Sequence, residues 1–141
     1  MNGFVQILII PVMLYGSVLN GDNSSGFEGF RFGTPKEAYR NLTLEVEEGN
    51  SRLYTVSPNE IKIDGVQLES IRLTFINNKL SVIALSTKNA TGLACLSFLR
   101  EQYGNPVNNK RNQYCWKKTD MNIVFELSKN KKDAYIDFYG K

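Results

Sequence analysis

Val66-Gln67-Leu68-Glu69-Ser70-Ile71-Arg72-Leu73-Thr74-Phe75-Ile76-Asn77-Asn78-Lys79-Leu80-Ser81-Val82-Ile83-Ala84-Leu85-Ser86 decides the fold. From Ile71 onward apolar and polar residues alternate, the period of a strand with one buried face. Asn77-Asn78 closes the strand that begins at Val66, Leu80 to Ser86 forms the next, and so short a connection makes them antiparallel neighbours. Upstream, Asp64-Gly65 is a hairpin-type turn after Glu60 to Ile63, and Ser57-Pro58-Asn59 is another. Leu53 to Val56 reads as a strand, and Gly49-Asn50 joins it to the alternating Leu42, Leu44 and Val46. Before these, Thr34-Pro35-Lys36-Glu37 reads as N-cap, first helical residue and capping box, so a short first helix begins at Pro35. Downstream, Leu96, Leu99 and Tyr103 share one face of a second helix from about Ala90 to Tyr103, stopped by Gly104 and Pro106. A polar loop, Val107 to Asn112, leads to strands through Tyr114-Cys115-Trp116, Asn122 to Ser128, and Ala134 to Tyr139. The fold class this order predicts is α+β: an antiparallel sheet with two helices packed on one face and the other face partly open.

The first residues have a different character. Phe4 to Leu19 is almost wholly apolar and a polar, glycine-rich stretch follows, the layout of a secretory signal. Pro11 interrupts the run, which falls short of the ~20 residues that cross a bilayer comfortably. No Lys or Arg precedes it and no Ala-x-Ala site closes it. The division expected is a signal peptide over 1–21, a flexible leader over 22–29 and a single α+β domain over 30–141, periplasmic or secreted, with no stable membrane span after cleavage.

Composition narrows the chemistry. The chain has 141 residues, a net charge of +3 and no histidine, which excludes histidine-based triads and zinc sites, and two cysteines cannot make a four-thiolate centre. No metal or cofactor is expected, and so mild a basic excess does not call for nucleic acid. Acids gather early (Glu45, Glu47, Glu48, Glu60, Asp64, Glu69) and bases late (Lys110, Arg111, Lys117, Lys118, Lys129, Lys131, Lys132). Asn23, Asn41 and Asn89 head glycosylation sequons, relevant only in a eukaryotic secretory route. In an oxidising compartment a lone cysteine pair is bridged. A Cys95–Cys115 disulfide would close a loop of about twenty residues, contributing roughly 3 kcal/mol; the alternative is two buried thiols.

That bridge carries a parity argument. If Cys115 reaches Cys95 on the covering helix, Tyr114 and Trp116 point away from it. Ile71, Leu73, Phe75, Ile123, Phe125, Leu127, Ile136 and Phe138 then form the core. The opposite face collects Arg72, Thr74, Tyr114, Trp116, Glu126, Tyr135, Asp137 and Tyr139. Aromatics beside Arg and carboxylates are the composition of a recognition surface, and equally of cross-strand pairs that stiffen an exposed sheet. The candidate binding residues are therefore Arg72, Tyr114, Trp116, Glu126, Tyr135, Asp137 and Tyr139, with no catalytic residue expected. Lys110 to Lys118 mixes bases with aromatics as anionic-polymer sites do, and as edge strands do to resist aggregation.

Gly29-Phe30-Arg31-Phe32-Gly33 before a capped helix, Phe75-Ile76-Asn77-Asn78-Lys79-Leu80, and Tyr103-Gly104-Asn105-Pro106 ending a helix resemble small exported bacterial domains of uncharacterised type. At fold level the arrangement is similar to the β-lactamase-inhibitor-like proteins, a resemblance that implies binding rather than catalysis and transfers no functional residue. The function expected is a non-catalytic secreted or periplasmic binding domain, inhibitor-like or envelope-associated, whose partner is a protein or cell-envelope component. The alternatives are a carboxylate-dependent hydrolase acting on glycan or cell-wall substrates through Glu126 and Asp137, and a purely structural envelope protein.

Overall fold

The computed structural model describes residues 26–141, apart from the side chains of Asn108 and Asn109, so the signal segment expected over 1–21 lies outside it. β1 (Gly26–Phe27) and β2 (Phe30–Arg31) form a small hairpin. β3 (Thr43–Glu48), β4 (Ser51–Val56), β5 (Gln67–Ile76) and β6 (Lys79–Lys88) make an antiparallel meander. Helix α1 (Gly92–Tyr103) follows, and β7 (Val107–Lys110), β8 (Gln113–Lys117), β9 (Met121–Leu127) and β10 (Ala134–Gly140) make a second meander. The last strands of the two meanders pair with each other, giving one antiparallel sheet in the order β3-β4-β5-β6-β10-β9-β8-β7. Seven main strands are completed by β7, a short edge piece with a bulge, in a stretch read from sequence as loop.

Turn chemistry sets the register. Asn77 and Asn78 sit at φ 52° and 58°, the two left-handed positions of a type I′ hairpin loop that Asn tolerates better than most residues. Asn50 Nδ2 donates to Asn77 Oδ1 at 3.0 Å and the Asn77 N–H donates to the Asn50 carbonyl at 3.0 Å, tying neighbouring hairpin tips together.

The expectation of two helices is wrong: among the described residues α1 is the only α-helix, and the molecule is mostly β. Lys36–Ala38 is a single 3-10 turn with no side-chain cap. Tertiary contacts claim the residues of the expected capping box. The Tyr39 ring packs against Phe30 and Phe75, with centroids 5.2 and 6.3 Å away. Thr34 Oγ1 donates to the Arg31 carbonyl at 2.6 Å and lies 2.7 Å from the Tyr39 hydroxyl. Glu37 accepts from Asn78 Nδ2 at 2.9 Å. With these groups engaged elsewhere, the helix does not propagate.

The face covered by α1 holds the core. Ile71, Leu73, Phe75, Ile83, Ile123, Phe125, Ile136 and Phe138 have no exposed surface, and burying each such side chain contributes roughly 1.5–3 kcal/mol. Cys95, Leu96 and Leu99 of α1 lie buried over β6, β9 and β10. Phe27 stacks on Phe138 at 4.5 Å and meets Phe98 edge-on at 6.1 Å. Phe27, within the stretch 22–29 expected as a leader, is thus buried against the core.

The disulfide is also corrected. β8 pairs with β9 so that Tyr114 lies opposite Phe125, Cys115 opposite Val124 and Trp116 opposite Ile123. Cross-strand partners share a face, so Tyr114 and Trp116 point toward the core and Cys115 points away from it. Cys95 and Cys115 are two buried thiols on opposite sides of the sheet. The bridge expected from an oxidising compartment is therefore not formed, and the alternative of two buried thiols describes the pair.

Candidate functional site: the open face of the sheet

The sheet face away from α1 is built by alternation. Because Ile71, Leu73 and Phe75 point inward, Arg72 and Thr74 point outward; likewise Val82, Ala84 and Ser86 on β6, Tyr135, Asp137 and Tyr139 on β10, and Asn122, Val124 and Glu126 on β9. Register arranges these in rows across the strands. One row runs Thr55, Arg72, Ala84, Asp137, Val124, Cys115; the next on one side runs Leu53, Thr74, Val82, Tyr139, Asn122, Lys117; on the other, Ser70, Ser86, Tyr135, Glu126, Gln113.

Five of the seven sequence-derived binding residues, Arg72, Glu126, Tyr135, Asp137 and Tyr139, come together here. Tyr135 and Tyr139 are 61% and 41% exposed. The other two do not join them. Trp116 is 2% exposed on the core side and its Nε1–H donates to the Gly104 carbonyl at 2.8 Å. Tyr114 packs edge-on to Phe125 at 6.0 Å beneath the Arg100 guanidinium, 5.6 Å from its ring. Lys118 Nζ donates to the Tyr103 carbonyl at 2.8 Å. Within the basic run, Trp116 and Lys118 thus clamp the C-terminus of α1.

Electrostatics single out Asp137. Burial pushes its carboxyl above the ordinary aspartate range, the Tyr139 hydroxyl donating to Oδ2 at 3.2 Å partly opposes this, and the negative charge of Glu126 adds to it. Burial and the Asp137 carboxylate push the Tyr139 phenol up in turn. Arg72 Nε donates to Glu45 Oε1 at 3.1 Å two strands away from Asp137. Among the described residues no ion pair reaches Asp137. Glu126 lies diagonal to it across β9 and β10, so the two carboxylates named for hydrolysis are neighbours on this face.

Family models, curated proteins and solved structures offer no match to this chain. Its chemistry is legible only from its own geometry. No group of three or more Cys, Asp and Glu among the described residues could hold a metal ion, and none of their helices is long and apolar enough to cross a membrane. An open cleft of about 730 Å³ lies where Pro58, Ile61, Ile63 and Val66 meet Lys88, with Lys62 and Asp64 also on its lining. The outward small residues Val82, Ala84 and Ser86 escaped the sequence-derived site, although the alternation from Val82 to Ser86 puts them on one face; the register then sets Ala84 between Arg72 and Asp137.

Proposed function

We propose that the chain is a non-catalytic binding domain, periplasmic or secreted, that takes a protein or cell-envelope component on its open sheet face. The observation that carries this reading is Asp137: a half-buried carboxylate with no ion-pair partner among the described residues, flanked by two exposed tyrosines on a broad face that no described element covers. Holding a desolvated charge without a counter-charge costs stability in the isolated chain, and a cationic partner group arriving there recovers it. Tyrosines supply rigid contact area at low entropic cost on either side.

A photo-crosslinking residue at position 135 tests this in the native envelope fraction, with the same residue at Leu93, exposed on α1, as control. Adducts from position 135, none from 93, and their loss on Asp137→Lys are the expected result. Equal adducts from both positions, or none from 135, would refute the reading.

A further inference from the structure

We infer that the partner on this face is a second copy of the chain, docked sheet to sheet so that Arg72 of each copy meets Asp137 of the other. This rests on the open face being a binding surface, and names its occupant. Arg72, Ala84 and Asp137 lie side by side on β5, β6 and β10, all outward. At about 4.8 Å between strands, opposite charges sit about 10 Å apart with a methyl group between them. A two-fold axis in the interface, running along β6 at Ala84, exchanges the two sides of that strand. Each guanidinium then faces the other copy's carboxylate, twice over. An axis along β5 would set Arg72 on Arg72, and one along β10 would set Asp137 on Asp137, so charge selects β6.

Shape selects the same axis. In the row Thr74, Val82, Tyr139 the rotation lays Tyr139 against the second copy's Thr74. In the row Ser70, Ser86, Tyr135 it lays Tyr135 against Ser70. Large side chains on one side of β6 meet small ones on the other, and Val82, Ala84 and Ser86 on the axis are small enough for two sheets to approach to about 10 Å. The arriving Arg72 would supply the cation that Asp137 and its neighbour Glu126 lack among the described residues, while its guanidinium fork can keep Glu45. The contact is isologous, and closes at two copies.

Sedimentation equilibrium on the protein as the cell processes it tests this. A wild-type dimer is expected, with Arg72→Asp and Asp137→Arg each weakening self-association roughly 30-fold or more. Mixed in equal amounts, one variant carries acids at both positions and the other bases, so the mixture should recover a dimer. A wild-type monomer at every concentration, folded single variants that associate like wild type, or folded variants that do not pair when mixed would overturn the inference. Should either variant fail to fold, Ala84→Glu and Ala84→Lys read the axis itself: each alone is expected to be monomeric and the mixture dimeric, and any other result counts against it. If the wild type is monomeric while position 135 still captures a different envelope component, the binding reading stands and the self-pairing falls.

Discussion

Trp116 shows how much one side chain can decide. Its indole fills the core side of β8 and satisfies the Gly104 carbonyl just past the end of α1. Trp116→Phe should cost about 1–3 kcal/mol by stranding that carbonyl, and Trp116→Ala about 3–5 kcal/mol through the added cavity, both read as lowered urea midpoints. The thiols give a second check. Cys95 is 1% exposed and burial pushes its thiol up to about 12, so it should resist alkylation in the native state. Both cysteines should accept alkylation in denaturant without reductant, adding two labels to the intact mass. Asp137 gives a third. Because its carboxyl titrates above its ordinary value when folded, the native state binds the proton more tightly than the unfolded one, and stability falls as pH rises from the unfolded pKa through the raised one. At concentrations where the chain is monomeric, Asp137→Asn should therefore raise the urea midpoint at pH 7, a gain that disappears once the pH is below both values. The inward core residues of β5, β9 and β10 were legible from period two alone. Tyr114 and Trp116 were misplaced because parity was anchored to a bridge instead of to the strand's own aromatic alternation, which pointed inward by itself.

At the scale of elements, α1 was legible within two residues at its start, yet its cap was not. Thr91 holds the N-cap position, but its hydroxyl donates to the Lys88 carbonyl at 2.8 Å and accepts from the Gln67 N–H at 3.1 Å. The carboxylate of Asp133, from the turn between β9 and β10, accepts from the Thr91 N–H at 3.3 Å and the Thr87 hydroxyl at 2.8 Å instead. A cap supplied from 42 residues away leaves no local signature. Asp133→Ala should cost about 1–2 kcal/mol, in the range of a lost N-cap. Gly92→Ala should destabilise too, although alanine normally improves a helix interior, because the new Cβ would lie 2.8 Å from the Asp133 carbonyl carbon. Both are measured by chemical denaturation. The Thr34-Pro35-Lys36-Glu37 signature failed for the converse reason: its local pattern was complete, and tertiary partners took the groups it needed.

The whole molecule is two four-stranded meanders joined through β6 and β10, an order that leaves β3 and β7 as open edges of one sheet. Period and turn chemistry foretold the strands of this sheet other than β7, but not that the last strand of each half would meet at the centre, since that pairing spans the helix between them and has no turn to announce it. The open edges differ in how they are guarded. β7 is short and bulged. β3 is exposed along its whole length, with Leu44 and Val46 about half exposed, and its protection is a break in register near Glu45 together with the carboxylates of Glu45, Glu47 and Glu48. Arg52 and Arg72 pair with Glu47 and Glu45, which fixes these acids without removing their bulk and hydration from the edge. Two β3 strands laid antiparallel would oppose like charges, and this disfavours edge-to-edge pairing. Replacing Glu45, Glu47 and Glu48 with Thr should leave the fold intact, since none of the three is buried, while light scattering reports higher-order association at concentrations where the parent chain remains clear. If the triple variant scatters no more than the parent, the bulge alone guards the edge, and the charges of β3 are free to serve another purpose.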